Sequence, residues 1–264
     1  MKISVLVENT AFCPEAKAEH GLSLFIETEK TKLLFDMGQT SVFEDNAKLL
    51  GICLESADFA VLSHGHYDHG GGLKRFLEIN RNAPVYLSKY AFGKHYNAEN
   101  KYIGLDQGLK DEKRLVFCDG VTQIANGISL YGGISKICPR TLGARGMQVL
   151  TEKGFEPDWF SHEQYLMIEE NGKKYLFSGC SHRGAAEIAE YFKPDVFIGG
   201  FHFSKVNVET DEGQSLLQAQ ARALLETGCK YYTCHCTGCA QFEVLKSFMG
   251  ERSEYLSSAQ SVEI

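Results

Sequence analysis

The sequence predicts an α/β fold of two similar sheet-plus-helix halves, and three observations carry that prediction. Short runs rich in β-branched and aromatic residues alternate with stretches of helical apolar spacing along all 264 residues. The segment "ADFAVLS" (57–63) is apolar nearly throughout, as a strand buried on both faces is, and a histidine- and glycine-rich segment follows it directly. The second half repeats the outline of the first without repeating its residues. No linker or low-complexity tract interrupts the chain, and 264 residues is near the size at which one core still grows, so a single domain over 1–264 is expected.

In chain order, "ISVLVE" (3–8), "LSLFIET" (22–28) and "KLLFDMG" (32–38) read as strands, and a short helix covers 41–50. Leu73, Phe76 and Leu77 recur at helical spacing with Lys74, Arg75 and Glu78 between them, so an amphipathic helix follows the glycines. "PVYLS" (84–88) is the next strand. Residues 89–112 are polar and aromatic without periodicity and read as a long insertion near the site. Strands are expected at 114–118 and 121–131, then an irregular stretch over 138–163. Strands at 164–170 and 174–179 meet at Asn171-Gly172, a hairpin signal. A helix (184–193), a strand (195–200), a helix (213–227), a strand (230–234) and a last helix (240–249) complete the second half.

Composition excludes several classes of function. The net charge of −7 offers no basic surface for a nucleic-acid backbone. No run approaches eighteen apolar residues, so no membrane-spanning helix is expected. The start, "MKISVLVENT", reads as a first strand and lacks a cleavage pattern. Nine cysteines, an odd number, argue against a disulfide framework and for reduced thiols in the cytoplasm. The oligomeric state is not legible.

The chemistry concentrates in "VLSHGHYDHGGGL" (61–73), where three histidines and an aspartate fall within positions 64–69. A strand stops and a helix begins there, and sites in α/β folds gather at such strand ends. Imidazole and carboxylate suit zinc, iron or manganese rather than calcium. His64, His66, Asp68 and His69 are therefore candidate metal ligands. Zinc is expected first, with iron or manganese as alternatives.

"HGHYDH" resembles the His-x-His-x-Asp-His signature of the metallo-β-lactamase superfamily. "LLFDMG" (33–38), "YLFSGCSH" (175–182) and a late histidine at 235 follow the same order. "AEHGLSLFIE", "SGCSHRG", "GGFHF" and "TCHCTG" are similar to a branch labelled 7,8-dihydropterin-6-methyl-4-(β-D-ribofuranosyl)-aminobenzene-5'-phosphate synthase. The resemblance implies a four-layer αβ/βα sandwich with metals between the edges of two sheets. It implies a first ion on His64, His66 and a third histidine, and a second on Asp68, His69 and His235. The third histidine is either His162, before a hairpin, or His182, in the more distinctive motif; the reading favours His182. His162 then becomes a pocket wall or a surface residue. Cys180 replaces the aspartate many relatives carry and is a candidate ligand of the second ion, or a small buried hydrophobe. The resemblance makes Asp36 a residue that orients a ligand histidine.

Around this set, Glu19 and His20 are candidates to line the cleft near Asn9, a surface turn being the alternative. His202 is a candidate for substrate contact or proton transfer, and His95 has no supporting context. Arg140, Arg145 and above all Arg183 are candidates to hold an anionic substrate. Cys234, Cys236 and Cys239 suggest a structural zinc knot by spacing. Strand alternation would place Cys234 and Cys236 opposite His235, and a fourth ligand such as Cys229 or Cys13 would be needed. They read as packing residues beside a ligand.

The expected activity is hydrolysis of a small, anionic metabolite (an ester, lactone or phosphoester) by metal-bound hydroxide. Asp68 would position the water, with His235 and His202 serving the leaving group. Alternatives are a pterin ribosyl-phosphate synthase-like enzyme and a non-catalytic metal-binding module. A di-iron, flavin-coupled redox role is disfavoured by Cys180 and by the lack of a second domain.

Overall fold

The computed structural model describes residues 1–134, 137 and 146–264; Cys138, Arg140 and Arg145 lie outside them. Two seven-stranded mixed sheets dominate. The first runs in the order Ser261–Glu263, Lys2–Val7, Ser23–Glu27, Lys32–Phe35, Phe59–Val61, Val85–Ser88, Leu115–Cys118. The second runs Ser253–Tyr255, Lys230–Thr233, Val196–Gly199, Lys173–Ser178, Tyr165–Glu170, Ile128–Tyr131, Val121–Ala125. In each sheet three adjacent pairings are antiparallel and the next three parallel. That shared pattern is the physical form of the two similar halves.

Alternation along the strands sorts the side chains into layers. Ile3, Leu24, Ile26, Leu33 and Phe35 from the first sheet meet Leu166, Ile168, Phe177 and Ile198 from the second in one inter-sheet core. The opposite faces carry Phe25 and Leu34 on one side and Met167, Leu176 and Phe197 on the other. The helices Val42–Leu49 and Leu73–Ile79 cover the first of these faces through Phe43, Leu73 and Phe76. The helices Ala185–Phe192, Asp211–Glu226 and Cys239–Met249 cover the second through Ile188, Leu217, Ala221 and Leu245. The result is the four-layer αβ/βα sandwich.

Differences from the sequence expectation have local causes. The helix expected from 213 starts at Asp211, because the Thr210 side chain caps it by accepting from Gly213 N at 3.1 Å. The single strand expected over 121–131 is a hairpin, its turn closed by Gly127 in a left-handed conformation. A third, three-stranded sheet pairs Lys94–Tyr96 from the 89–112 insertion with the hairpin Gln148–Thr151 and Gly154–Pro157. That long-range pairing leaves no local periodicity to read. The short C-terminal strands Ser253–Tyr255 and Ser261–Glu263 also go unseen in the sequence.

Parallel strands end on one side of both sheets, and their carboxyl ends carry the candidate site. Asp36 follows Phe35, His64 follows Val61, Cys180 follows Ser178, His202 follows Gly199 and His235 follows Thr233 within one to three residues. This is the strand-end location that α/β sheets use for ligands. Among the described residues no helix is long and apolar enough to cross a membrane.

Candidate metal centre

Buried groups that could hold a metal ion stand side by side at the strand ends. Nitrogens of His64, His66 and His182 lie within 4.8 Å of one another, as do the donor atoms of His64, His69 and Cys180 and those of Cys180, His235 and Cys236. His64 Nε2 is 3.4 Å from His182 Nε2, and His69 Nε2 is 3.2 Å from Cys180 Sγ. Asp68 Oδ2 is 3.3 Å from both His20 Nε2 and His235 Nε2 and 3.8 Å from His69 Nε2. Four residues of the site, Asp36, Ser181, His202 and His235, take left-handed backbone conformations that cost about 1–3 kcal/mol each.

Hydrogen bonds on the far nitrogen fix which side of each ring faces inward. Asp36 is fully buried and accepts from His69 Nδ1 at 2.7 Å and from Ser63 Oγ at 2.7 Å. With its proton spent on Asp36, Ser63 Oγ accepts from His64 Nδ1 at 2.8 Å. His235 Nδ1 donates to Asn9 Oδ1 at 2.8 Å; that oxygen also faces the Gly21 N–H at 3.4 Å. His64, His69 and His235 thus each point Nε2 into the site. Burial, then the neighbouring imidazoles, holds His64 well below the ordinary imidazole value, and burial pushes His235 down to about 4. Burial opposes a charge on His69 as well, but the Asp36 and Asp68 carboxylates raise it. Burial likewise opposes ionisation of Asp68, yet the surrounding imidazoles hold its carboxyl well below the usual range.

The turns of the second sheet that carry the candidate ligands His182 and His235 are pinned by glutamates that sequence reading does not single out. Glu163 accepts from His182 N at 2.7 Å and from Tyr165 Oη at 2.8 Å. Glu8 accepts from His235 N at 2.8 Å and from Tyr255 Oη at 2.6 Å. Each clamp spans a separation no local pattern encodes.

His162 has a different environment. It is buried rather than on the surface, and its Nδ1 accepts the backbone N–H of Gly65 at 2.8 Å. A neutral ring that accepts at Nδ1 carries its proton on Nε2, which lies 3.3 Å from Asp158 Oδ2. Asp158 also accepts from His95 Nδ1 at 2.6 Å, so His95 has a buried partner that the sequence does not reveal. His162 and His95 line a neighbouring cavity of about 450 Å³ with Lys89, Tyr90 and Trp159, and not the cleft over the ligand sets.

That cleft has a volume of about 230 Å³. His20, Tyr67, Asn97, His202, Ser204 and Lys205 line it together with the candidate ligands. His202 lies 4.4 Å ring to ring from His182. Two expected substrate contacts lie elsewhere. Glu19 accepts from Gln39 N, Thr40 N and Thr40 Oγ1 and holds that loop. Arg183 is buried and spends all five donors on the carbonyls of Ile134, Ile137, Trp159 and Phe160. Lys205, exposed, lines the cleft and is a cation that sequence reading does not single out. The cysteines are free among the described residues. Cys234 packs in the inter-sheet core, Cys239 is exposed, and Cys229 is bonded to the Pro194 carbonyl in the outer core, so Cys234, Cys236 and Cys239 occupy separate environments.

Comparison with known proteins agrees with this architecture. The chain is 33% identical over 215 residues to the uncharacterised protein MJ0448 of Methanocaldococcus jannaschii, covering 78% of this chain and 80% of that one. It is 30% identical over 283 residues to the 7,8-dihydropterin-6-methyl-4-(beta-D-ribofuranosyl)-aminobenzene-5'-phosphate synthase of the same organism, covering 96% and 92%. The crystal structure of Tm1679, described as a metal-dependent hydrolase of the beta-lactamase superfamily, matches with a TM-score of 0.81 and 28% identity over 100% of this chain and 99% of that one. The Metallo-beta-lactamase superfamily profile matches residues 16–211, and the chain belongs to that superfamily.

Proposed function

We propose that this protein is a metal-dependent hydrolase of a small, anionic metabolite, with a first ion on His64, His66 and His182 and a second on Asp68, His69, His235 and Cys180. One observation carries the reading. His235 donates through Nδ1, so its Nε2 lone pair faces the Asp68 carboxylate at 3.3 Å with nothing positive between them. Two buried electron-rich atoms at that distance repel unless a cation joins them. The imidazole, carboxylate and thiolate donors suit zinc, with iron(II) next.

A divalent ion there supplies Lewis acidity and a nucleophile from water near neutral pH. The chain's own groups supply the rest. Lys205 at the mouth of the cleft holds the anionic part of the substrate. Asp68 orients the attacking water and accepts its hydrogen bond, with His20 fixing the carboxylate. His202, beside Ser204 and Lys205, protonates the departing oxygen. The cleft of about 230 Å³ suits a small molecule.

A second reading, a pterin ribosyl-phosphate synthase, is supported by 30% identity over 96% of the chain. A panel of nitrophenyl phosphodiester, carboxylic ester and lactone substrates separates the two. Hydrolysis of at least one, abolished in His64→Ala, is the expected result. No hydrolysis by fully metal-loaded protein, with turnover of a pterin and a ribosyl phosphate donor instead, would favour the synthase.

A further inference from the structure

The second ligand set holds one more donor than the resemblance implies. Cys236 and Cys180 are both buried and both line the cleft with Asp68, His182 and His235. Cys180 Sγ, Cys236 Sγ and a nitrogen of His235 lie within 4.8 Å of one another. The strand Lys230–Thr233 has ended by this point. His235–Thr237 is a single 3-10 turn with His235 at φ 52°. Alternation therefore does not separate residues 235 and 236, and neighbours in sequence share one site.

The surroundings are shaped for the sulfur. A Cβ added at Gly200 would stand 2.3 Å from Cys236 Sγ, so the absence of a side chain there makes room for it. The Cys236 thiol makes a long contact, 3.6 Å, to the Cys180 carbonyl. His235 Nε2 is buried beside it without a hydrogen-bond partner.

We propose that Cys236 is a second sulfur ligand of the second ion, added to Asp68, His69, His235 and Cys180. This rests on the metal-dependent reading above. Two thiolates beside imidazoles select zinc or iron(II) over manganese and magnesium.

Cobalt(II) substitution tests this in the full chain, prepared anaerobically from metal-free protein. Visible d–d bands report tetrahedral cobalt at either site, and the near-ultraviolet sulfur-to-cobalt band reports thiolate ligands alone. Cys236→Ser and Cys180→Ser should each remove about half of the sulfur band and the double variant all of it, with d–d absorption persisting from the three-histidine site. An unchanged sulfur band in Cys236→Ser, with complete loss in Cys180→Ser, would overturn the proposal and leave the metal reading intact. No cobalt absorption in the wild type would overturn both. Should Cys236→Ser fail to fold, X-ray absorption at the zinc edge of the two-zinc wild type decides. An average of one sulfur per zinc supports two thiolates; half a sulfur per zinc refutes them.

Discussion

His235 and His162 each hold Nε2 3.3 Å from an aspartate oxygen, yet the two pairs have opposite polarity. At His162 the Gly65 N–H occupies Nδ1, so Nε2 carries its proton 3.3 Å from Asp158 Oδ2 and the pair attracts. At His235 the Asn9 oxygen takes the Nδ1 proton, so a lone pair points at Asp68 and the pair repels until a cation arrives. What the far nitrogen does decides whether a buried histidine is a ligand or a strut. Cluster membership alone does not: His66, His95, Asp158 and His162 also fall within ligand range of one another.

On this account His162 is a strut for the turn that carries His64 and His66, and variants around that turn should show it. Gly65→Ala is expected to have the largest effect. A Cβ there would lie 2.1 Å from the Ala91 carbonyl oxygen, so the backbone between the two histidines must move. Loss of bound metal and a destabilisation of roughly 1–3 kcal/mol are expected, read by elemental analysis and thermal melting. Wild-type metal content in this variant would show that the turn tolerates displacement.

Asp36→Asn should weaken metal binding about 10- to 100-fold, because it orients His69 directly and His64 through Ser63. Asp158→Asn should change metal affinity far less, since its partner His162 holds a peptide group rather than an ion. Chelator competition measures both, and equal losses would erase the distinction. Arg183→Lys is expected to leave metal content unchanged and to cost about 1–3 kcal/mol in chemical denaturation, because lysine has too few donors for the four carbonyls.

Much of this was legible in the sequence where partners are close along the chain. The β-branched and aromatic runs 22–28, 32–38 and 164–170 read as strands and fold as strands, and the candidate ligands of 64–69 stood within one turn. Groups whose meaning depends on distant partners were not legible. Glu8 meets His235 N across 227 positions, and His95 meets Asp158 across 63. Arg183 reads as a substrate anchor from its neighbours in sequence, but a buried guanidinium surrounded by carbonyls is a clamp. Cys236 reads as packing because strand alternation was assumed through a residue that is in fact left-handed.

Elemental analysis of wild type, His182→Ala and His162→Ala, purified without added metal or chelator, tests the central claim most directly. The account predicts close to two equivalents in the wild type and in His162→Ala, and a loss of about one equivalent in His182→Ala. Retention in His182→Ala with loss in His162→Ala would contradict it, as would a wild type with no metal at all.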